Sequence, residues 1–325
     1  MRSFKCVLVT GALGCIGSAV VQRWTARHPD TRFVVYDSLT YAGSLSHIPE
    51  PWPSNLAFVY GSVTDAGAFG YALATHRPDA IVHLAAETHV DTSFMNSIEF
   101  SRVNYVGTHT LLECVRRYVA EGGELQAFLH MSTDEVTGSA DDENAAPCRE
   151  DALLKPTSPY AASKAAAEMM CAAYRCSFRL PIVIARCNNA IGRNQHPEKL
   201  VPAAVTRILG GRRVPIHGDG LARRTFIDVR DISDALEVML TRGEIGATYN
   251  ISTGHEFTVL QVVERILAKL RPGERLEDWV EHVGDRAFND RRYLIDGAAL
   301  RALGWSDRVP FDAALDDVIA RWREA

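Results

Sequence analysis

The stretch "TGALGCIG", residues 10–17, follows the β-branched run "CVLV" and leads into a segment whose apolar residues return at helical spacing. Its glycines Gly11, Gly14 and Gly17 are spaced GxxGxxG. Glycine at a strand-to-helix turn permits a sharp bend and lets backbone N–H groups and the helix N-terminus approach a pyrophosphate. The same spacing also occurs in purely structural turns, so the surrounding sequence has to decide between the two interpretations.

Asp37 supports the nucleotide-binding interpretation, because it ends the second strand-like run "FVVYD", about 20 residues after Gly17. A carboxylate at this place accepts hydrogen bonds from the adenosine ribose and repels a 2′-phosphate. The next residue is Ser38 rather than a basic residue. The pattern therefore predicts a βαβ dinucleotide-binding unit with NAD, not NADP, as the cofactor.

Further strand-like runs, "LAFVYG", "AIVHLA", "AFLHMST" and "PIVIARC", alternate with helical segments. This alternation is typical of a parallel sheet with helices on both faces. After Cys187 it is replaced by the short strands "VPIHG", "TFIDV" and "ATYNIS" and the helix "TVLQVVERILAKL". We expect an α/β fold, a Rossmann-type doubly wound parallel sheet with a smaller mixed α/β C-terminal substrate-binding domain. The predicted boundaries are 1–186 and 225–252 for the first domain and 187–224 and 253–325 for the second.

The chain has 325 residues, with 35 lysines and arginines against 40 aspartates and glutamates. Both signs are interspersed without a basic stripe, which argues against a nucleic-acid partner. No run reaches the roughly 18 apolar residues of a membrane span, and the opening "MRSFKCVLVTG" does not resemble a secretory leader. We therefore expect a cytoplasmic protein without a membrane partner. The seven cysteines lack zinc-site spacings, so we expect reduced thiols and no metal site.

The motif "SPYAASKAAAEMM" places Tyr160 four residues before Lys164 in a segment whose alanines favour a helix. Both side chains then share one face, where an ammonium group can lower the pKa of a phenol toward neutrality. The motif "STDEV" adds the hydroxyl of Thr133 and the carboxyls of Asp134 and Glu135 at the end of another strand. Each motif alone is most often a solvent-exposed feature, but together, after a nucleotide-binding half, they indicate acid–base catalysis.

With these motifs in place, the sequence resembles the extended short-chain dehydrogenases/reductases, and among them the nucleotide-diphosphate-glucose 4,6-dehydratase family. The resemblance spans nearly the whole chain and rests on "TGALGCIG", "HLAAETHVDTSF", "STDEV", "YAASKAAAE", "NNAIGRNQHPEKLVP", "IHGDG" and "GDRAFNDRRYLID". It implies an NAD-dependent lyase that converts dTDP-glucose or UDP-glucose into the 4-keto-6-deoxy sugar nucleotide, a step of deoxysugar biosynthesis such as that of rhamnose.

In the mechanism that the resemblance implies, Tyr160, assisted by Thr133 and Lys164, takes the proton of the sugar C4 hydroxyl while hydride leaves C4 for the nicotinamide. The resulting 4-ketone acidifies the C5 proton, which Glu135 removes as general base. Asp134 protonates the departing C6 hydroxyl, water leaves, and the hydride returns to C6. Elimination needs a base and an acid at neighbouring carbons, which accounts for the paired carboxyls.

The resemblance also implies which residues line the two halves of the site. The expected cofactor-binding residues are Gly11, Gly14, Cys15, Ile16, Gly17, Asp37, Ser38, Ser62, Val63, Leu84, Ala85, Ala86, Tyr160, Lys164 and Asn189. The expected substrate-binding residues are Thr88, Thr133, Asn188, Glu198, Lys199, His217, Arg224, Asn250, Arg286 and Asn289. Arginines suit a diphosphate because their forked donors match its oxygens.

Four positions depart from the family pattern. Thr137 and Ile191 stand where these dehydratases usually carry tyrosine, so two aromatic hydroxyls near the active-site wall are expected to be missing. Ser62 replaces a common acidic residue and Ser38 a frequent lysine, so NAD is expected to bind more weakly or differently. None of the four is a proton-transfer residue, and we expect activity to survive.

Two other interpretations stay open. The chain could be another nucleotide-sugar enzyme, such as a 4-epimerase or a UDP-glucuronate decarboxylase, or a non-catalytic NAD-binding regulatory protein. The intact "TDE" argues against both enzymes, because epimerases lack the carboxylate pair and decarboxylases typically carry serine in place of Asp134. A degenerate regulatory protein would normally have lost Tyr160, Lys164 or a carboxyl group.

The sequence specifies the nucleotide of the substrate and the oligomeric state less clearly than the reaction. The motifs "THVDTSF", "IHGDG" and "AFNDRRY" look more like those of eukaryotic-type dehydratases, some of which use UDP-glucose. One methyl group is worth only about 1–3 kcal/mol of discrimination, so both dTDP and UDP are retained. The resemblance also implies a homodimer through the helices around "THTLLECVRR" and "YAASKAAAEMMCAAY", although packing on the chain's own sheet would give the same apolar faces.

Overall fold

The computed structural model describes residues 1–140, 142, 144–285 and 288–324. The strands are β1 (Cys6–Thr10), β2 (Arg32–Asp37), β3 (Leu56–Tyr60), β4 (Ala80–His83), β5 (Ala127–Met131), β6 (Ile182–Cys187), β7 (Asn189–Ile191), β8 (Val214–His217), β9 (Arg223–Asp228), β10 (Thr248–Ile251), β11 (Glu256–Thr258) and β12 (Val280–Val283). The α-helices are α1 (Cys15–Arg27), α2 (Ala66–His76), α3 (Val90–Met95), α4 (Ser97–Phe100), α5 (Thr108–Ala120), α6 (Pro159–Phe178), α7 (Leu200–Leu209), α8 (Val229–Arg242), α9 (Val259–Leu270), α10 (Leu276–Trp279), α11 (Ala298–Ala302) and α12 (Phe311–Arg323). Short 3₁₀ turns lie at Leu45–His47 and Asp134–Thr137, and a π-helical segment at Ser101–Gly107 joins α4 to α5.

The central sheet has seven parallel strands in the order β10-β6-β5-β4-β1-β2-β3. Val9 of β1, for example, pairs with Val35 of β2 on one side and with Val82 of β4 on the other. The strand order changes direction between β1 and β4, which is the topological switch point of a doubly wound sheet. The predicted Rossmann-type α/β fold is therefore confirmed.

Both faces of this sheet are buried under helices. Val7 and Val9 of β1 pack with Trp24 in one apolar core, whereas Leu8 packs with Phe69 in the core on the opposite face. Successive side chains of a strand point to opposite faces, so a strand covered on both faces needs a continuous apolar run. This explains why the strands were visible in the sequence as unbroken β-branched segments.

Gly11 and Gly17 allow α1 to pack directly against the turn that follows β1. Gly11 has a φ of +64°, and a Cβ atom at this position would lie 2.6 Å from the Cα atom of Ala85. A Cβ atom at Gly17 would lie 2.2 Å from the carbonyl oxygen of Gly11. Only glycine fits these two positions, and the first turn of α1 therefore begins immediately beside the sheet edge.

The C-terminal body contains two small sheets, β11-β9-β7 and β12-β8. In the first, β9 pairs with β11 in antiparallel and with β7 in parallel orientation, and in the second β8 and β12 are parallel. Helices α7, α9 and α12 surround a separate apolar core that includes Val205, Val263 and Leu315. The sequence analysis assigned no strand to β7 or β12, because runs of three and four residues are too short to show a period.

The chain crosses between the two bodies at the end of β9. Strand β9 belongs to the three-stranded sheet, whereas α8, which follows directly, packs on α1. In that contact Trp24 donates a hydrogen bond from Nε1 to the carbonyl oxygen of Ser233 at 3.3 Å. The boundary predicted at residue 225 thus falls within β9, and the domain boundaries remain a prediction.

All seven cysteines are free thiols. Within the part of the chain that the structure describes, no group of three or more histidine, cysteine, aspartate and glutamate side chains could hold a metal ion. The described helices also include none with the length and apolar character needed to cross a membrane.

The close packing of the glycine turn gives a first prediction. Gly17→Ala is expected to lower the free energy of unfolding by about 3 kcal/mol, because its Cβ atom would meet backbone that cannot move without displacing α1. Gly70→Ala in α2 is the matched control, since nothing lies within 4 Å of the added Cβ atom. Replacing this helical glycine should stabilise the protein by about 0.5–1 kcal/mol. Urea unfolding measures both changes, and an unaltered stability of Gly17→Ala would contradict the packing argument.

Candidate active site

A cleft of about 500 Å³ lies along the carboxyl edge of the central sheet and is lined by residues of both bodies. The turns that follow β1, β2, β4, β5 and β6 all contribute to its lining. Parallel strands end at the same edge, so segments distant in the sequence meet there. This edge is where ligands bind in doubly wound folds.

The predicted cofactor-binding residues all line one half of the cleft. They are Gly11, Gly14, Cys15, Ile16, Gly17, Asp37, Ser38, Ser62, Val63, Leu84, Ala85, Ala86, Tyr160, Lys164 and Asn189. Gly14 is the N-cap of α1 and, being glycine, supplies no side-chain hydrogen bond to the first turn. The partial positive charge of this helix end is therefore available to an anionic group such as a pyrophosphate.

Asp37 is held in a fixed orientation at the end of β2. Its Oδ2 accepts a hydrogen bond from the backbone N–H of Leu13, and its Oδ1 accepts one from that of Leu39, both at 2.9 Å. A carboxylate has further lone pairs, so these bonds leave acceptor capacity for two ribose hydroxyls. The fixed carboxylate, the glycine turn and the uncapped helix end together fit a dinucleotide of the NAD type.

Thr133, Asp134 and Glu135 lie in the 3₁₀ turn that follows β5, and all three side chains are buried. The Thr133 hydroxyl accepts a hydrogen bond from the N–H of Glu135 at 3.3 Å and donates one to Oδ1 of Asp134 at 3.1 Å. The amide of Asn188, at the end of β6, donates to Oδ2 of Asp134 at 2.8 Å. Asp134 is therefore fixed from two strands, and the solvated-turn interpretation of these acids does not apply.

Burial raises the pKa of both carboxyl groups. The pKa of Asp134 is raised to about 6, although its hydrogen bonds to Asn188 and Thr133 work in the opposite direction. The pKa of Glu135 is raised to about 8, first by burial and then by the negative charge of Asp134. Two groups so close titrate as a pair, and near neutral pH the pair holds one proton. It can supply an acid and a base at the same time.

Tyr160 and Lys164 lie on the buried face of α6, whose first turn is capped by Ser158. Burial raises the pKa of the Tyr160 phenol, the charge of Glu135 raises it further, and a hydrogen bond with Thr133 lowers it. The expectation that this pKa approaches neutrality is therefore wrong for the protein itself, because desolvation dominates. Burial also lowers the pKa of Lys164 to about 8, so its ammonium group loses its proton more readily than an exposed lysine.

Eight predicted substrate-binding residues line the other half of the cleft. They are Thr88, Thr133, Asn188, Glu198, Lys199, His217, Arg224 and Asn289. Lys199 donates from Nζ to the carbonyl oxygen of Thr88 at 2.7 Å and lies 3.5 Å from Oε1 of Glu198. Arg224 donates from Nη2 to Oδ1 of Asn289 at 3.4 Å. The two cations give this half the charge that a diphosphate requires.

The structure does not place Asn250 among the residues that line the cleft. This residue lies on the edge strand β10, where its Nδ2 donates to the carbonyl oxygens of Cys148 and Asp296 at 3.0 Å each. It ties two loops to the sheet and does not line the cleft. Arg286, the other remaining substrate residue, lies outside the described residues.

Two of the departures from the family pattern lie in the protein interior. Thr137 donates from its hydroxyl to the carbonyl oxygen of Asp134 at 2.8 Å, and Ile191 packs in the core of the C-terminal body. Neither side chain lines the cleft. Ser38 and Ser62 do line its cofactor half, as predicted.

Tyr293 and Asp290 line the cleft but were not singled out from the sequence. Both are buried, and the Tyr293 hydroxyl lies 3.5 Å from Oε2 of Glu135. Both residues belong to the quoted motif "GDRAFNDRRYLID". A tyrosine directly after a run of four charged or amide residues was the available signal. Its contact with Glu135 joins residues 158 positions apart, so it is not a local property of the sequence.

The comparisons with known proteins agree with this geometry. The family described as GDP-mannose 4,6 dehydratase matches residues 8–318. A trifunctional UDP-glucose 4,6-dehydratase/UDP-4-keto-6-deoxy-D-glucose 3,5-epimerase/UDP-4-keto-L-rhamnose-reductase of Arabidopsis thaliana is 41% identical over 312 residues, which are 96% of this chain and 46% of that protein. The chain thus spans about half the length of this relative. A dTDP-glucose 4,6-dehydratase of Neisseria gonorrhoeae is 39% identical, over 96% of this chain and 93% of that protein.

Solved structures show the same fold. DesIV, a dTDP-glucose 4,6-dehydratase from Streptomyces venezuelae with NAD and TYD bound, superimposes with a TM-score of 0.91 at 38% identity and covers 98% of this chain and 97% of its own. A UDP-glucose 4-epimerase from Thermus thermophilus with NAD reaches 0.87 at 27% identity and covers 98% and 99%. Because the fold is common to both activities, the family match and the higher identities carry the assignment. The chain belongs to the GDP-mannose 4,6 dehydratase family, among the nucleotide-diphosphate-glucose 4,6-dehydratases of the extended short-chain dehydrogenases/reductases.

Proposed function

We propose that this protein is an NAD-dependent 4,6-dehydratase that converts dTDP-glucose or UDP-glucose into the corresponding 4-keto-6-deoxyglucose nucleotide. The observation that carries the proposal is the buried pair Asp134 and Glu135, which lies with Tyr160 in a cleft that also holds the dinucleotide cradle. The relatives named as dTDP-glucose and UDP-glucose 4,6-dehydratases support it.

NAD bound in the cradle would supply the hydride acceptor for oxidation at C4 and the hydride donor for reduction at C6. Tyr160 is the proposed base for the C4 hydroxyl proton, and Thr133 is proposed to assist it from the turn after β5. Because burial raises the pKa of Tyr160, its phenolate is scarce but strongly basic once formed. Lys164, one helical turn further along α6, supplies positive charge on the same buried face.

The carboxyl pair then performs the elimination. Glu135 takes the C5 proton, and the electron pair of the broken C5–H bond is stabilised by the C4 ketone. Asp134 gives its proton to the C6 hydroxyl, which leaves as water while the C5–C6 double bond forms. Glu135 returns a proton to C5 when C6 is reduced, so the net change is the loss of one water.

The productive form of the pair has its proton on Asp134 and its negative charge on Glu135. Burial and the Asp134 charge raise the pKa of Glu135 above that of Asp134, so this form is the less populated of the two one-proton forms. The advantage is a strong base, which a weakly acidic C5–H bond requires. The hydrogen bonds from Thr133 and Asn188 stabilise Asp134 in position for the acid step.

The competing functions use less of this site. A 4-epimerase oxidises and reduces C4. That reaction requires Tyr160 but has no step in which Asp134 and Glu135 would take part. Burying two carboxyl groups side by side costs free energy of desolvation, so a pair without a catalytic role would destabilise the protein with no benefit to function. A regulatory NAD-binding protein would need neither the pair nor the buried Lys164.

We further propose a homodimer in which α5 and α6 face the second copy. Val119 on α5 and Met169 and Phe178 on α6 are exposed apolar side chains, which supports this proposal.

A cytoplasmic location is proposed from the composition of the sequence. The division into one domain of residues 1–186 and 225–252 and a second of residues 187–224 and 253–325 is proposed from the order of the predicted elements.

The substrate and the role of Glu135 can be tested together. Unmodified protein incubated with dTDP-glucose or UDP-glucose in heavy water is expected to release one water and to incorporate deuterium at C5, measured by mass spectrometry. Glu135→Gln should slow both processes by a factor of roughly 10²–10⁴, the usual contribution of a general base. Reduced cofactor from C4 oxidation should still form in this variant.

Glu277→Gln is the matched control for that experiment. Glu277 is exposed on α10, where it pairs with Arg275 at 3.3 Å, far from the cleft lining. Its rates should equal those of the unmodified protein. Failure of the unmodified protein to dehydrate either nucleotide would exclude the glucose dehydratase proposal.

The shared proton predicts a bell-shaped dependence of kcat/KM on pH. The active form carries one proton on the pair. Burial raises the pKa of Asp134 to about 6 and that of Glu135 to about 8. Activity should therefore rise with pH through about 6 and fall through about 8. Below this window both groups are protonated and the base is lost. Above it both are ionised and the acid is lost. Initial rates of 4-keto product formation measure the profile, and a constant rate through this window would contradict a shared proton.

Asp37 should determine the choice of cofactor. Asp37→Asn keeps the shape of the side chain but removes its charge, so NADP should bind about tenfold more tightly because a charge repulsion is lost. Asp79→Asn is the matched control, since that carboxylate also accepts from two backbone N–H groups, those of Lys5 and Cys6, but does not line the cleft. Calorimetric titration with NAD and NADP gives both affinities, and an unchanged ratio would argue against a ribose contact at Asp37.

A further inference from the structure

A chain of hydrogen bonds leads from the start of α6 to the carboxyl group of Glu135. The Thr157 hydroxyl lies 2.8 Å from each carboxylate oxygen of Asp290. Oδ2 of Asp290 is also hydrogen-bonded to the hydroxyl of Tyr293. That hydroxyl lies 3.5 Å from Oε2 of Glu135, and Asp290, Tyr293 and Glu135 are all buried. The chain has no part in the mechanism described above.

The direction of the proton in this chain follows from the chemistry of its members. A phenol has one O–H donor, whereas a carboxylate only accepts. Burial and the charge of Glu135 raise the pKa of Tyr293, so the phenol keeps its proton. Donation to Asp290 leaves only an oxygen lone pair of Tyr293 facing Glu135. The hydroxyl oxygen lies 3.5 Å from Oε2 of Glu135, within reach of a hydrogen bond from that carboxyl group when it is protonated.

We propose that Tyr293, oriented by Asp290 and Thr157, is a positioning residue for Glu135 and accepts a hydrogen bond from Glu135 once that carboxyl group has taken the C5 proton. The inference rests on the proposed function, because it assigns the C5 proton to Glu135. The C5–H bond breaks, an O–H bond forms on Glu135, and its hydrogen lies between Oε2 and the Tyr293 oxygen. Glu135 returns a proton to C5 at the end of the cycle, and exchange of that proton with the solvent introduces deuterium in heavy water.

The other groups around Glu135 act on it through charge. The titratable and charged groups that face it are Asp134 in the same turn, Tyr160 on α6, Lys199 before α7, Arg224 on β9, and Asp290 and Tyr293 in the segment between β12 and α11. The charges of Asp134 and Asp290 raise the pKa of Glu135, and those of Arg224 and Lys199 lower it. Tyr293 is a neutral group whose hydroxyl oxygen lies 3.5 Å from Oε2, so it stabilises the protonated carboxyl group specifically.

Arg224 adds a second restraint on the tyrosine. Its guanidinium group lies 4.8 Å from the centre of the Tyr293 ring, and its Nη1 donates to the carbonyl oxygen of Asp290 at 2.9 Å. The ring is therefore held by a cation over its face and its hydroxyl by a carboxylate. A residue that only filled space would not need its hydroxyl fixed in this way.

Exchange of the C5 proton of the 4-keto-6-deoxyglucose product tests the proposal. This product, incubated with protein and NAD in heavy water, exchanges C5 without the acid step of Asp134, so the rate depends on Glu135. The rate should rise with pH through the pKa of Glu135 and then become constant. Tyr293→Phe removes the acceptor for protonated Glu135, so the midpoint should move to lower pH by about half a unit to one unit. The rate on the plateau should fall about threefold, because the base is weaker.

Tyr118→Phe is the matched control, since Tyr118 is also buried and donates its hydroxyl to the carbonyl oxygen of Pro78 at 3.2 Å, away from the cleft. Its exchange profile should match that of the unmodified protein. A lower midpoint in Tyr293→Phe alone supports the proposal. An unchanged midpoint and plateau in a folded Tyr293→Phe protein overturns it while leaving the dehydratase proposal intact. Absence of dehydration by the unmodified protein would instead remove the dehydratase proposal and this inference with it.

Discussion

Parallel pairing of the seven central strands is the constraint on which the rest of the structure depends. It brings the carboxyl ends of β1, β2, β4, β5 and β6 to one edge, where the turns that follow them line a single cleft. The glycine turn after β1 adds a helix N-terminus to this edge, because a Cβ atom at Gly17 would lie 2.2 Å from the Gly11 carbonyl oxygen. Nucleotide-binding and acid–base groups therefore meet at one place although they come from separate parts of the chain.

The chemistry of the site derives from burial. Desolvation raises the pKa of Asp134, Glu135 and Tyr160 and lowers that of Lys164. In water none of these groups would exchange protons readily with a sugar hydroxyl or a carbon acid near neutral pH. The cost of burying them is reduced by fixed hydrogen bonds, such as those from Thr133 and Asn188 to Asp134, and these same bonds position the acid.

The C-terminal body completes the site rather than merely covering it. It contributes Lys199, Arg224 and Tyr293, two cations and a phenol, to a cleft whose other wall carries the carboxyl pair. An epimerase with a TM-score of 0.87 shares this architecture, so the fold does not determine the reaction. We propose that the difference lies in a few side chains, among them Asp134 and Glu135.

The sequence by itself determined what depends on local pattern: the parallel α/β fold, the glycine turn with Asp37, the common helix face of Tyr160 and Lys164, and the placement of "STDEV" at a strand end. These follow from periodicity and short spacings, which act over a few residues. Only the tertiary structure decided that Asn250 braces an edge strand, that burial raises the pKa of Tyr160, and that Tyr293 lies beside Glu135. Tyr293 and Glu135 are 158 residues apart in the chain. Desolvation and such distant contacts arise from packing of the whole fold, and no local segment of the sequence carries them.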